Sequence, residues 1–315
     1  VGASIKGFAN TVKLSDAPII VIEGDEYLSS PVDLTPKFHK YQHHIGLISG
    51  VSWDHINVFP SEDEYVRQFE IFADSTPKAG SLIFCDEDPL TSMTGNKERE
   101  DVYAISYKTH PHVIDNGITY LMNGKDSFPL KIFGKHNLQN ISGAKEVLKK
   151  IGITEDQFYQ AITSFEGASK RLELIAENDQ SAVYKDYAHA PSKVRATTLA
   201  LREQYPERDL VACLELHTFS SLNKDFLKQY KGAMKFSYKP IVYFNPTTIA
   251  NKGMEPIIAE DILNAFDERS LKVFDDKESL LTYLKDQNWK DKNLLMMTSG
   301  TFDHLDYDAL KTITS

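Results

Sequence analysis

Cysteine, long apolar runs and excess positive charge are all scarce in this sequence of 315 residues. Its two cysteines, Cys85 and Cys213, lie far apart in apolar, strand-like runs, which predicts buried thiols in a reducing cytoplasm. No apolar run approaches the roughly 20 residues that span a bilayer, so we predict no membrane association. The 35 Lys and Arg against 45 Asp and Glu give a net charge of −10, which argues against a nucleic-acid partner because such partners are bound by clustered cations.

A phosphate-binding loop is also missing from the sequence. No stretch fits G-x-x-x-x-G-K-[ST], in which backbone amides and a Lys cradle a triphosphate. The first residue is Val1 rather than Met, and no charged-then-apolar signal peptide follows it. We therefore predict that the chain is the later part of a longer enzyme and that it is inactive on its own.

The patterns that are present predict two α/β domains, which also suits the length. Continuous apolar runs at 18–23, 45–51 and 81–85 predict buried strands of a parallel sheet. The segment 103–133 alternates apolar residues with Asn-Gly turns and predicts β-hairpins. Past Gly167, strands and helices alternate over the rest of the chain.

The other predicted elements follow from helical spacing, capping signals and short apolar runs. A capping box at Thr154–Gln157 predicts the start of one helix. The predicted helices are 137–150, 154–165, 191–204, 222–231, 258–266 and 277–286. The predicted strands of the second domain are 182–186, 209–214, 240–244, 271–274 and 293–298.

Acidic residues follow the first predicted strand. Glu23-Gly24-Asp25-Glu26 would lie at the carboxyl edge of the sheet, where carboxylate oxygens suit a hard cation such as Mg²⁺. Asp54-His55 ends the next strand, so His55 and Glu23 could share one metal. The alternatives are a solvated acidic loop and a structural histidine.

A glycine turn directly precedes a predicted helix in the stretch Phe133-Gly134-Lys135-His136-Asn137-Leu138-Gln139-Asn140. Asn137 and Asn140 lie one turn apart, and an Asn amide offers the donor and acceptor that an adenine edge needs. The alternative is that His136 or Asn137 only caps the helix.

Two further groups of polar residues follow strands of the second domain. In Asp186-Tyr187-Ala188-His189, which precedes a helix, Asp186 could accept a hydrogen bond from a ribose hydroxyl, and Tyr187 or His189 could reach across an interdomain cleft. Arg171 at the domain junction could meet a phosphate. His217–Ser221 and Thr298–Asp303 are hydroxyl-rich loops that could bind a polar substrate. Ordinary caps, ion pairs and loops are the alternatives.

Together these residues resemble the Mur ligases of peptidoglycan synthesis, which use ATP to join an amino acid or peptide to a UDP-linked muramic acid. The resemblance rests on five motifs in family order, namely E-A-D-E, N-x-x-x-D-H, F-G-x-H-N-x-x-N, R-x-E and D-Y-A-H-x-P. Their counterparts here are Glu23–Glu26, Asp54-His55, Phe133–Asn140, Arg171–Glu173 and Asp186–Pro191. Two positions depart from the motifs, because Gly24 and Gly50 replace the usual Ala and Asn.

The resemblance implies an α/β fold, with the remainder of a P-loop-type ATPase central domain at 1–168 and a Rossmann-like C-terminal domain at 169–315. It implies ATP and Mg²⁺ as cofactors, UDP-N-acetylmuramate and a peptide or amino acid as partners, and a cytoplasmic location. His55, Arg171 and Asp186 become the catalytic candidates. The implied Mg²⁺ ligands are Glu23 and His55. The implied nucleotide-binding residues are His136, Asn137, Asn140, Arg171, Asp186, Tyr187 and His189. The candidate substrate-binding residues are His217, Ser220, Ser299 and Thr301.

Within the family, Met297–Phe302 is similar to the M-S-N-G-G-F stretch of the recycling ligases that add L-alanyl-γ-D-glutamyl-meso-diaminopimelate to UDP-N-acetylmuramate. The second candidate is the UDP-N-acetylmuramate–L-alanine ligase. The loop at His217–Ser221 matches neither the P-R-S nor the P-H-R pattern of these subfamilies. Two other hypotheses are a catalytically silent nucleotide- or peptide-binding module and a magnesium-dependent hydrolase that uses Glu23, Asp25 and His55.

Overall fold

The computed structural model describes residues 10–53 and 55–314, so Asp54 of the predicted Asp54-His55 pair lies outside the described residues. The chain divides into two compact units between Glu166 and Gly167. Both units mix helices and sheets, which confirms the predicted α/β class.

The first unit contains a three-stranded parallel sheet and a separate antiparallel sheet. The parallel sheet has the order β3-β4-β5, and the antiparallel sheet has the order β6-β7-β8. A short antiparallel pair, β1 with β2, precedes them. The strands are β1 Leu28–Ser30, β2 Asp33–Pro36, β3 Ile45–Ile48, β4 Ser81–Cys85, β5 Tyr103–Tyr107, β6 His112–Asp115, β7 Ile118–Asn123 and β8 Asp126–Pro129; the helices are α1 Glu62–Asp74, α2 Pro89–Gly95, α3 Lys135–Lys150 and α4 Glu155–Ile162.

Two strand predictions in this unit are wrong in part. Residues 18–23 form no strand, and Ile20 and Val21 are 66% and 82% exposed. An apolar run becomes a buried strand only where neighbouring strands and covering side chains receive it, and the described residues supply neither here. The segment 103–107 pairs in parallel with β4 instead of opening a hairpin, whereas 112–129 forms the expected hairpins.

The helices that end the first unit follow the sequence signals closely. Gly134 precedes α3 with a φ of 94°, a left-handed value that favours glycine. Thr154 and Gln157 form the predicted capping box of α4. Leu138 and Ile141 of α3 pack with Phe158 of α4 in one buried cluster.

The second unit is built on one six-stranded sheet with the order β13-β12-β11-β14-β10-β9. All neighbours pair in parallel except β9, which joins the edge in antiparallel fashion. The strands are β9 Glu173–Glu177, β10 Ser181–Asp186, β11 Asp209–Leu216, β12 Lys239–Phe244, β13 Lys272–Phe274 and β14 Lys292–Met297; the helices are α5 Pro191–Gln204, α6 Lys224–Leu227, α7 Pro246–Asn251, α8 Ala259–Phe266 and α9 Lys277–Lys285.

The central strands of this sheet are covered on both faces. Val211, Cys213, Leu294 and Met296 are fully buried in one core cluster. Sequence patterns predicted all of these strands except β9, and they missed α7. The helix predicted at 222–231 is shorter than expected, because a 3₁₀ turn at Lys228–Tyr230 follows α6.

Both cysteines are free and buried, as predicted. Burial raises the pKa of the Cys85 thiol and raises that of Cys213 well above its usual range. No helix within residues 10–53 and 55–314 is both long and apolar enough to cross a bilayer.

Candidate functional site

The first predicted metal ligand, Glu23, lies in an exposed loop. His55 instead lies beside Glu26, with 3.4 Å between His55 Nε2 and Glu26 Oε1. The Tyr65 hydroxyl also lies 3.4 Å from that oxygen. Across the described part of the chain, no three His, Cys, Asp or Glu side chains converge as a metal site. These groups therefore offer a partial donor set.

The predicted adenine-binding segment forms the start of α3. The Asn137 side-chain amide donates to the Phe133 carbonyl at 2.7 Å, so it is not free. Gly134 is the N-cap residue of α3 and no side chain caps this helix start, so the capping alternative for His136 or Asn137 is wrong. His136 is half-buried and Asn140 is exposed. Of the two asparagines, Asn140 thus leaves its amide more accessible to a ligand.

Glu87, in the acidic stretch Asp86-Glu87-Asp88 that follows β4, organises the same region. Its Oε2 accepts from Thr109 N at 3.0 Å, from the Thr109 hydroxyl and from Gln139 Nε2 at 3.0 Å. Lys135 Nζ lies 3.7 Å away. Burial raises the pKa of Glu87, but these hydrogen bonds and the Lys135 charge outweigh it and lower the value to about 2. One carboxylate thus ties the end of β4 to the residues after β5 and to the first turns of α3.

Asp186 ends β10 and is 5% exposed. Its Oδ2 accepts from Leu172 N at 2.7 Å and its Oδ1 from Ala188 N at 2.6 Å. Leu172 has a φ of 45°, so the carboxylate holds a backbone conformation that a branched side chain rarely adopts. A carboxylate can accept about four hydrogen bonds, which leaves room for a ligand donor.

Arg171, Tyr187 and His189 gather next to Asp186. The Arg171 guanidinium lies over the Tyr187 ring, 5.4 Å from its centroid. His189 is buried, and its Nδ1 lies 2.8 Å from the Tyr187 carbonyl oxygen. The structure therefore brings together these four residues, which the sequence resemblance assigned to the nucleotide.

The two predicted substrate loops meet at Glu215, which sequence reasoning missed. Glu215 lies near the end of β11 and is 4% exposed. Its Oε2 accepts from the Thr298 hydroxyl and from Phe302 N, the latter at 2.8 Å. Its Oε1 lies 3.8 Å from His217 Nδ1. The sequence signal that could have identified Glu215 is a carboxylate within the apolar run of a central strand.

The other predicted substrate residues lie on these loops. Ser220 is buried, whereas Thr301 is exposed and accepts from His304 N at 3.0 Å. The Ser299 hydroxyl is buried without a hydrogen-bond partner in the described structure. A buried hydroxyl without a partner is costly unless a ligand or water satisfies it.

A cavity of about 280 Å³ opens within the second unit at this edge of the sheet. Its polar lining comes from the end of β10, the loop after β14 and the segment before β9. Two lysines supply cationic groups against one carboxylate, so the cavity is suited to an anionic group. The polar lining residues are Lys170, Lys185, Asp186, Thr298, Thr301, His304 and Tyr307.

The cations of this cavity are not equally available. Lys185 Nζ lies 3.1 Å from Glu173 Oε1 and 5.3 Å from the centre of the Tyr307 ring. Burial raises the pKa of Tyr307, so its hydroxyl stays neutral. Lys170, at the start of the unit, has a φ of 59° and also lines the cavity.

Curated relatives of the chain are UDP-N-acetylmuramate–L-alanine ligases. The enzyme of that name from Caldicellulosiruptor bescii is 29% identical over 254 residues, which are 77% of this chain and 54% of that protein. The chain spans about half the length of the first such relatives that it matches. No protein-family model matches the chain.

Solved structures share the fold of both units. A murein peptide ligase from Psychrobacter arcticus superposes with a TM-score of 0.59 at 19% identity, covering 93% of this chain and 62% of that one. A MurF ligase from Thermotoga maritima in complex with ADP gives a TM-score of 0.62 at 13% identity, covering 86% and 61%.

Proposed function

Because the chain is related in sequence and in fold to the Mur ligases, we propose that it forms the later part of an ATP-dependent ligase that makes an amide bond in peptidoglycan metabolism. In this proposal residues 1–168 are the later part of the ATP-binding central domain and 169–315 are the domain that receives the amino component. The chain alone lacks a phosphate loop and is inactive.

The observation that carries the proposal is the cavity at the carboxyl edge of the second sheet. Ligands of parallel α/β sheets bind at this edge. Asp186, which carries the D-Y-A-H-x-P resemblance, lines the cavity together with Thr298 and Thr301 of the stretch that resembles M-S-N-G-G-F. Residues chosen from separate sequence motifs thus share one polar cavity.

The proposed chemistry is activation of a carboxylate. The muramyl carboxylate attacks the γ-phosphate of ATP, and ADP leaves to give an acyl phosphate. The incoming amine then attacks the acyl carbon, phosphate leaves, and the amine loses a proton as the amide forms. The protein positions the reactants and neutralises charge. Asn140 with His136 and Asn137 would flank the adenine. Arg171 and Asp186 would contact phosphate and ribose, and Tyr187 and His189 would line the nucleotide side of the cleft.

Mg²⁺ would neutralise phosphoryl charge in such a reaction. Hard cations prefer oxygen ligands, and the Glu23 and Glu26 carboxylates supply them, while His55 lies next to Glu26. This donor set fits the ion only in part, since fewer than three such side chains converge within the described residues. Substrate phosphates would have to complete the coordination.

For the amino component, we propose the tripeptide L-alanyl-γ-D-glutamyl-meso-diaminopimelate, joined to UDP-N-acetylmuramate. The support is the resemblance of Met297–Phe302 to the recycling ligases and a cavity whose cations suit a carboxylate-bearing peptide. L-Alanine is the second candidate, because the curated relatives carry that activity in their names.

The test is an ATP-dependent phosphate-release assay on the longest natural open reading frame that contains this chain. UDP-N-acetylmuramate is offered with L-alanine or with the tripeptide, and omission of UDP-N-acetylmuramate is the control. Release with the tripeptide alone supports the first candidate, and release with alanine alone supports the second. Release with neither amine rejects the ligase and leaves a nucleotide- or peptide-binding module.

A further inference from the structure

The loop after β14 has an unusual backbone. Phe302, Asp303 and His304 have φ values of 47°, 55° and 57°, so three successive residues are left-handed. This conformation is strained for residues that carry a side chain, and bulky residues rarely adopt it. Phe302 is nevertheless fully buried, which means that surrounding contacts hold the turn in place.

Glu215 supplies those contacts. The Phe302 N–H donates to its Oε2 at 2.8 Å, at the first residue of the left-handed run. The Thr298 hydroxyl donates to the same oxygen and accepts from Gly300 N at 2.7 Å. A single carboxylate thereby fixes both ends of the segment that carries Ser299 and Thr301.

The same carboxylate also lies beside the second loop, with its Oε1 3.8 Å from His217 Nδ1. Of the described residues, only His217 brings a group that can be positively charged within 4 Å of Glu215. A Cβ at Gly300 would lie 2.7 Å from His217 Cγ and 2.8 Å from Glu215 Oε2. The two loops therefore pack in direct contact, and Gly300 is required for their close approach.

A carboxylate in this position is costly for the fold. Burying a charge is unfavourable unless it is paired and hydrogen-bonded, and an apolar residue would suit the core of β11 better. Glu215 gains two hydrogen bonds and a partly exposed histidine instead of a buried cation. The arrangement stabilises the geometry of two loops more than it stabilises the core.

We infer that Glu215 is a positioning residue for the amino-component site, holding His217, Ser299 and Thr301 in one fixed arrangement. This inference rests on the proposed ligase function. Glu215 contacts the two loops rather than the reacting atoms. Its loss should therefore weaken binding and alignment of the amine while leaving the nucleotide site unchanged.

The test uses the longest natural open reading frame that contains the chain and compares Glu215→Gln with the wild type. The KM for the amino component should rise about tenfold or more because the loops lose their fixed geometry, while the KM for ATP should stay within about twofold. Glu278→Gln, an exposed position in the first turn of α9, is the matched control.

Two variants at Thr298 keep the inference testable if Glu215→Gln does not fold. Thr298→Val removes the hydroxyl link and should raise the KM for the amino component, whereas Thr298→Ser restores the hydroxyl and should return it near the wild-type value. Wild-type amine kinetics in both Glu215→Gln and Thr298→Val would overturn the inference while the ligase function stood. A wild-type protein without ligase activity would reject the proposed function and this inference together.

Discussion

At the scale of single residues, carboxylates at the ends of parallel strands do much of the organising in both units. Glu87, Asp186 and Glu215 each follow or end a parallel strand and each accept hydrogen bonds from backbone N–H groups. Such bonds satisfy donors that a turn would otherwise bury without partners. The carboxyl edges of both sheets are therefore shaped by acidic side chains as well as by the strands.

Glu87 should make the first unit sensitive to acid. Its pKa of about 2 in the folded protein lies below its usual value of 4.5, so folding favours the charged form. The stabilisation is complete above about pH 4.5 and is lost as the pH falls towards about 2. Because Glu87 is exposed and solvent screens its charge, we expect Glu87→Gln to lower the free energy of unfolding by only about 1 kcal/mol at pH 7 and by less at pH 3.5.

Urea unfolding of wild type and Glu87→Gln at the two pH values measures this difference. Glu98→Gln is the matched control, because Glu98 is exposed in the same unit. A difference between wild type and Glu87→Gln that stays constant from pH 7 to pH 3.5 would show that the Glu87 charge contributes no stability.

Asp186 should have a structural role and a nucleotide-binding role that two variants can separate. Asp186→Ala leaves Leu172 N and Ala188 N without their acceptor, which should cost roughly 1–3 kcal/mol of stability. Asp186→Asn keeps one acceptor oxygen and most of the shape. Both variants of the full-length protein should raise the KM for ATP; an unchanged KM in a folded Asp186→Asn protein would remove Asp186 from the nucleotide site.

At the scale of elements, capping residues and apolar spacing in the sequence predicted the helices whose bounds depend on local interactions. Pro191 at the first turn and the helical spacing after it gave α5 its bounds, and Thr154 gave the start of α4. The edge strand β9 was missed because its half-exposed residues form no continuous apolar run. The strand prediction for residues 18–23 was wrong because an apolar run does not show whether a neighbouring strand is present to pair with it.

In the candidate site, residues at strand ends could be predicted from the sequence, whereas contacts between distant parts of the chain could not. Motif residues such as Asp186, His217 and Ser299 could be chosen from the sequence because they follow strands. The role of Glu215 could not, since its contacts are 83 and 87 residues away in the sequence. Only the pairing of β11 with β14 brings these residues together.

The capping box of α4 gives an element-scale prediction. Gln157 N donates to Thr154 Oγ1 at 3.3 Å, and Thr154 N donates to Gln157 Oε1 at 2.9 Å. Thr154→Ala should destabilise the protein by about 1 kcal/mol, and Thr154→Ser should retain most of the stability. Urea unfolding checks this, with Gln160→Ala at an exposed position of the same helix as the control. Equal midpoints for Thr154→Ala and wild type would contradict the prediction.

At the scale of the whole molecule, each unit has its own core and its own buried thiol. Cys85 lies in the sheet of the first unit and Cys213 in that of the second, with 1% and 0% exposure. The second sheet has six strands, whereas the first parallel sheet has three and residues 19–22 nearby in sequence expose their apolar side chains. More apolar burial predicts greater stability for the second unit.

Thiol labelling can therefore measure the unfolding of each unit separately. In the Cys213→Ala variant, labelling of Cys85 reports the unfolding of the first unit. In the Cys85→Ala variant, labelling of Cys213 reports the unfolding of the second unit. Both thiols should react with a disulfide reagent at pH 8 far more slowly than a free cysteine, because burial shields them and raises their pKa. In rising urea, Cys85 should become reactive at a lower concentration than Cys213. A shared midpoint would mean that the units unfold as one, and earlier labelling of Cys213 would reverse the predicted order of stability.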